Sequence, residues 1–401
     1  MEKLFDQKGT AHTSGPSWKD MTTALNLVVA NFSKVFVICD GLDECRNAQN
    51  IPEPKNVFEF LHSLSQTEAA VVKVLILSRP DYDTLEDAFS GCPVLEMDNG
   101  ANDDDIKRYI AKTLSISLVP AKDEKQLRDT QNMVFTKAEG MFLYVRLLAT
   151  DLQGSRTVNQ LQKKLKSLPS GLDQVYSVSM QRIFNEPDDL QRKWALDMLF
   201  WATNAKRRLT RTEMLEVIVI EPGMKNLDDG DRITRDRGLT SLCGDLIRID
   251  NEGYYNLVHS SLKDYLLRLP LNTLRLPLST LRLFEEYKER QAKADYVMGE
   301  ICLTYLLFSQ FRDDRISTKQ DLDVFQRDNP FFNYAATYFA AGLSTEAAEN
   351  LQGLILELLN CTSLRNLVLQ AIHLRAFLKP GNTTELVLLS IFNLIGMAKS
   401  C

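Results

Sequence analysis

The sequence predicts a mostly α-helical chain with a partial α/β segment around residue 40 and a small β-hairpin around residue 250. Three observations carry this. The runs Val35–Cys39 and Val71–Leu77 are continuously apolar and flank a helix-length segment; runs of that kind read as parallel strands buried on both faces and joined by a crossover helix. From Asp103 onward the apolar residues recur at helical spacing, the period of about 3.6 residues that marks an amphipathic helix. The exception is the pair Leu246–Asp250 and Tyr254–Val258, joined through Asn251-Glu252-Gly253, where glycine supplies the left-handed conformation such a hairpin loop needs.

The elements follow in order. A helix is expected from about Ser17 to Asn31, opened by a Ser17-x-x-Asp20 cap. The first strand ends abruptly at Asp40, a helix covers Val57 to Ser65, and the second strand stops at Ser78-Arg79-Pro80. Asp103, Asp104 and Asp105 stand where a helix N-terminus favours negative charge. Helices then run to Leu168, one of them spanning Asn132 to Leu152 without interruption, and Pro169-Ser170-Gly171 breaks the pattern. Helices resume at Leu172. Thr210-Arg211-Thr212-Glu213 is a capping box ahead of Met214–Val219. Glu221 to Asp236 reads as a surface loop, a helix near Leu239–Asp245 leads into the hairpin, and Ser260–Leu269 is helical. Capped helix, helix and hairpin in that order describe a winged helix. Beyond the linker Pro270–Pro277 lie helices at Tyr296–Phe308, Phe332–Ala341, Thr345–Leu359 and Leu364–Phe377.

Composition narrows the function. Hydrophobic residues at 44% and charged residues at 25% suffice for packed cores. A net charge of −6 argues against a strongly basic nucleic-acid binder, which needs a local excess of Lys and Arg. The basic run Lys206-Arg207-Arg208 reads as a solvated turn before the Thr210 cap rather than as a DNA contact. Seven cysteines and four histidines are scattered with no CxxC pair, so no zinc site is expected, and the thiols read as reduced and intracellular. The apolar stretch Leu386–Met397 falls short of the roughly 20 residues a spanning helix needs.

The chemistry concentrates in Asp40-Gly41-Leu42-Asp43-Glu44-Cys45. A strand delivers carboxylates at its carboxyl end, the edge where open α/β sheets bind ligands. Asp40 is placed to hold magnesium, which takes one or two carboxylates together with phosphate oxygens. Asp43 or Glu44 is placed to orient or deprotonate an attacking water.

This string closely resembles the Walker B box of NACHT-type signalling NTPases, in the form frequent among fungal members. Leu77-Ser78-Arg79-Pro80 resembles the family's sensor segment, which implies that Arg79 reaches the terminal phosphate region. Lys137–Tyr144, Leu168–Asp173, Leu257–Leu266 and Phe331–Ala336 resemble segments of its helical, winged-helix and downstream regions, so the likeness spans most of residues 17 to 340. It makes His259 the candidate for a winged-helix histidine that touches the β-phosphate of ADP; read on its own, His259 is equally a structural residue at a strand end. The implied cofactors are ATP or ADP with Mg2+.

The resemblance divides the chain into residues 1–100, the C-terminal part of an NTPase α/β domain; 101–170, a helical domain; 171–270, a winged helix; and 271–401, a helical region. One departure matters. No Gly-x-x-x-x-Gly-Lys-Ser/Thr occurs anywhere in the chain, and that loop is what cradles the phosphates. The expectation is a cytoplasmic nucleotide-switch protein of non-self recognition or cell-death signalling, N-terminally incomplete, with impaired ATP binding and no hydrolysis by the chain alone. Expected partners are proteins, through self-association or full-length NACHT relatives, without nucleic acid or a transmembrane segment. The alternative is a non-catalytic interaction or scaffold module derived from such a protein.

Overall fold

A computed structural model describes residues 18–41, 54–67, 70–77, 92–95, 102–117, 124–153, 157–233, 238–269, 276–312 and 319–372. The chain divides into two compact units, Met1–Met97 and Asp98–Cys401. The described residues form a mostly helical protein with two small sheets, as the sequence predicts.

The first unit contains α1 (Trp18–Val29), β1 (Lys34–Asp40), α2 (Pro54–Ser65) and β2 (Val71–Leu77). The strands pair in parallel, with Lys34 opposite Val71 and Asp40 opposite Leu77. Their common face of Val35, Val37, Cys39, Val72, Val74 and Ile76 packs on Phe58, Leu61 and Leu64 of α2 and Val29 of α1. Of these, Val29, Phe58, Leu61, Leu64 and Val72 are buried, and each contributes roughly 1.5–3 kcal/mol. Trp18 closes edge-on against Phe60 at 5.7 Å. The expectation of strands buried on both faces is corrected: the opposite face, carrying Lys34, Phe36, Ile38 and Asp40 of β1, is exposed. An unbroken apolar run makes both faces fit for burial, but it does not supply the second layer. Ser17, the expected cap, lies outside the described residues.

The second unit holds the large core. It begins with α3 (Asp103–Ser117), α4 (Glu124–Ala138), α5 (Phe142–Gln153) and α6 (Val158–Lys166). Three acids occupy the first turn of α3, and Thr157 and Gln160 form a capping box on α6. The single helix expected over Asn132–Leu152 is two: the backbone reverses at Glu139 and Gly140, both at positive φ, 45° and 80°. Tyr144 of α5 is fully buried and donates its hydroxyl to the Pro169 carbonyl at 2.7 Å, which fastens the helical segment to the break that follows it.

Next come α7 (Gly171–Phe184), α8 (Asp189–Asn204), α9 (Arg211–Val217) and α10 (Leu239–Leu242), then β3 (Ile247–Ile249), β4 (Tyr255–Leu257) and α11 (Ser260–Arg268). The capping box of α9 is present as read, with Glu213 N donating to Thr210 Oγ1 and Thr210 N donating to Glu213 Oε2. Ile249 pairs antiparallel with Tyr255. The turn between the strands closes on Asp250, whose carboxylate accepts from Glu252 N and Tyr254 N, while Gly253 takes φ 86°. The winged-helix order of the sequence is therefore in place.

The helices α12 (Leu278–Ala292), α13 (Ala294–Leu306), α14 (Lys319–Asp328), α15 (Phe332–Tyr338), α16 (Thr345–Asn350), α17 (Gln352–Asn360) and α18 (Thr362–Ala371) complete the unit. The helix expected over Thr345–Leu359 is split at Leu351, and α14 is an element the sequence reading did not anticipate. Gly299 lets α13 approach α15 closely, since a Cβ there would stand 2.9 Å from the Phe339 carbonyl oxygen.

Buried carboxylates tie the winged helix to the later helices. Glu216 of α9 accepts from Tyr305 Oη at 2.9 Å and from Phe331 N at 2.8 Å, and pairs with Arg232. Asp197 of α8 pairs with Lys193 at 3.1 Å and with Arg290 of α12. The run Lys206-Arg207-Arg208 is a bend ahead of the Thr210 cap with Lys206 and Arg208 exposed, as read, and each of its residues is ion-paired. Arg207 grips Glu213 with two bonds of 2.6 and 2.8 Å beneath Tyr334 and Tyr338, Lys206 pairs with Asp295 at 2.6 Å, and Arg208 pairs with Asp250 at 2.8 Å.

Two predictions follow from these anchors. Glu216→Ala leaves Arg232, Tyr305 and the Phe331 amide without their acceptor inside the core, and is expected to cost about 3–5 kcal/mol, read as a lowered urea midpoint by far-ultraviolet circular dichroism. Tyr144 is held up to about 12 by burial first and the Glu139 charge second. Its folded pKa lies above the unfolded value of about 10, so its contribution is complete below pH 10 and disappears as the pH rises toward 12. Tyr144→Phe is expected to flatten the decline of the thermal midpoint over that window relative to wild type.

Candidate functional site

Asp40 is the residue where the sequence concentrates chemistry, and the structure puts it at the carboxyl end of β1 beside the end of β2. Gly41 follows at φ 68° and donates its N–H to the Leu77 carbonyl at 3.0 Å. This bond extends the ladder by one rung as the chain leaves the strand. The positive φ suits glycine, which pays no Cβ penalty there. The Asp40 side chain is exposed. A single carboxylate with open access to water suits magnesium, which keeps several waters and draws its remaining ligands from substrate phosphates. Among the described residues no group of three or more His, Cys, Asp and Glu side chains is arranged to hold a metal by itself. Asp43, Glu44 and Arg79 lie outside the described residues.

His259 belongs to the second unit and is the N-cap of α11. Its Nδ1 accepts from Ser261 N at 3.1 Å and lies 2.9 Å from Ser261 Oγ. The cap engages Nδ1, which leaves Nε2 as the other ring nitrogen. Behind the cap, Ser261 Oγ lies 2.9 Å from Tyr176 Oη, and Ser177 Oγ lies 2.9 Å from Tyr265 Oη. Tyr176 and Tyr265 are fully buried, with rings 5.5 Å apart. Burial, the largest influence, raises the Tyr176 hydroxyl above its ordinary value, keeping it a neutral hydrogen-bonding group. The paired hydroxyls hold α7 against α11 and fix the start of the helix that His259 caps.

Sequence reasoning identified Asp40 and His259 but missed the Ser261–Tyr176 support. The signal was available in part: His259-Ser260-Ser261 before an apolar helix is a cluster of capping side chains. It also missed the buried carboxylates, although Asp197 and Glu216 each interrupt an apolar helical run.

Two family models match. Residues 1–79 match Nephrocystin 3, N-terminal, and residues 189–273 match the GPI inositol-deacylase, winged helix domain. Both domains are associated with NACHT proteins, and together they support a loose NACHT-type relationship. The second match spans α8 to α11, the segment whose capped helix, hairpin and closing helix are seen in the structure. Comparison with curated proteins and with solved structures finds no match. Among the described residues no helix is long and apolar enough to cross a membrane.

His259→Ala removes the cap on α11 and is expected to cost about 1 kcal/mol of stability. His259→Asn, which caps without an imidazole, is expected to recover most of it; urea unfolding of the three proteins checks both statements.

Proposed function

We propose that this chain is a NACHT-type nucleotide-switch signalling protein whose own affinity for nucleotide is low. The observation that carries the reading is the end of β1: an exposed Asp40 at the carboxyl edge of a parallel pair, followed by a glycine at positive φ. Asp40 would hold Mg2+, Asp43 and Glu44 would handle the attacking water, Arg79 would meet the terminal phosphate, and His259 would use Nε2 toward the β-phosphate of ADP. The two family matches support the NACHT-type part of the reading; non-self recognition or cell-death signalling is the output that the family resemblance suggests. Low affinity follows from the absence of a Gly-x-x-x-x-Gly-Lys-Ser/Thr loop in the 401 residues, because the backbone amides and lysine of that loop supply most of the attraction for phosphate.

A second reading, a non-catalytic interaction module, is favoured by one observation, the exposed apolar face of the parallel pair.

Saturation-transfer NMR with millimolar Mg2+ and ADP separates the nucleotide reading from its competitor. The expected result is a weak ADP signal that requires Mg2+ and disappears in Asp40→Ala. A signal of equal strength in wild type and Asp40→Ala overturns the assignment of Asp40. Tight, micromolar binding overturns the low affinity.

A further inference from the structure

Among the described residues no element packs on the face of β1 and β2 opposite the two helices, and that face is largely apolar. The register sets four rows across it: Lys34 beside Val71, Phe36 beside Lys73, Ile38 beside Leu75, and Asp40 beside Leu77. Phe36 and Ile38 are 64% and 68% exposed, and Leu75 is 54% exposed. Parallel sheets are found almost only with both faces covered, and a contiguous exposed apolar patch marks an interaction surface.

The charges on the face indicate what covers it. Lys34 opens β1 and Asp40 closes it, with Phe36 and Ile38 between them on the same face. About its midpoint at Val37, the series Lys-Phe-Ile-Asp is complementary to its own reverse. Consider a two-fold axis that runs across the strands, midway between two stacked sheets. It lays β1 of one copy antiparallel over β1 of another. Each Lys34 then faces Asp40 of the second copy, and each Phe36 faces its Ile38. Over β2, Val71 faces Leu77, and Lys73 lies along Leu75 with its ammonium free to reach the rim. Stacked sheets about 10 Å apart tolerate such an aligned arrangement, and the contact is isologous, so it closes at two copies. An amphipathic helix from another protein would instead have to bring an acid to Lys34 and a base to Asp40, a pattern this chain already presents to itself.

We propose that a second copy of this chain covers the open face of β1 and β2, making a two-fold dimer pinned at each end by Lys34 and Asp40 around Phe36 and Ile38. Asp40 is also the proposed Mg2+ ligand, so pairing it with Lys34 of a second copy competes with Mg2+–nucleotide; measured without Mg2+ or nucleotide, association tests the dimer apart from the proposed switch.

Sedimentation equilibrium of the full chain without Mg2+ or nucleotide, at up to about 100 μM, tests it. A monomer–dimer equilibrium is expected. Lys34→Asp or Asp40→Lys alone should weaken association at least about tenfold, because each places like charges in contact. The double variant Lys34→Asp/Asp40→Lys should restore association, and Ile38→Asp should abolish it. All three positions are on the surface, and circular dichroism verifies that the helices persist. A chain that stays monomeric overturns the proposal. So does a dimer indifferent to Lys34→Asp and Ile38→Asp, or a double variant that fails to recover.

Discussion

Glu216 is a carboxylate placed in the middle of an apolar helical core, and the second unit is organised around satisfying it. A buried charge is tolerated only when partners surround it. Here they come from three places in the chain: the guanidinium of Arg232, the hydroxyl of Tyr305 on α13, and the backbone amide of Phe331 just before α15. None of these is near Glu216 in sequence. Satisfying one side chain therefore requires that the winged helix and the later helices already be in register, which makes the contact a condition on tertiary structure more than a source of raw stability.

The same arrangement recurs twice on a smaller scale. Asp197 draws in Arg290, whose guanidinium also lies 4.3 Å over the ring of Phe200. Glu213 serves the cap of its own helix and the guanidinium of Arg207 together. Around these polar anchors the aromatic residues Trp201, Tyr305, Phe331 and Tyr334 pack ring against ring at 5.3–5.8 Å. The carboxylates fix orientation and the rings fill volume. Surface pairs such as Arg108 with Asp105 contribute little by comparison, because solvent screens them.

How much of this was legible in the sequence depends on whether the deciding interaction is local. The strands showed as apolar runs, the acids of α3 and the Thr210 box as helix starts, and the hairpin as two β-branched and aromatic stretches around Gly253. Each is decided within a few residues. The break at Glu139–Gly140 was hidden because the flanking segments share one apolar face and a non-glycine residue takes the positive φ. The exposed second face of β1 was hidden because an apolar run states what can be buried and not what arrives to bury it. Of the site, Asp40 and Gly41 were readable as a strand end with a turn. The capping role of His259 was not, since imidazole is an unusual cap and its supports, Ser261 and Tyr176, stand 85 residues apart.

The parallel pair has a further consequence that lies in time. Among the described residues the sheet has two strands, so each is an edge and roughly half of the amides in β1 and β2 point away from a described partner strand. Amides of that kind exchange their hydrogens for solvent deuterium through small local openings, whereas those of α8 and α13 wait for the core around Glu216 to come apart. One chain thus carries two clocks, and the faster one reads the strand that ends at Asp40.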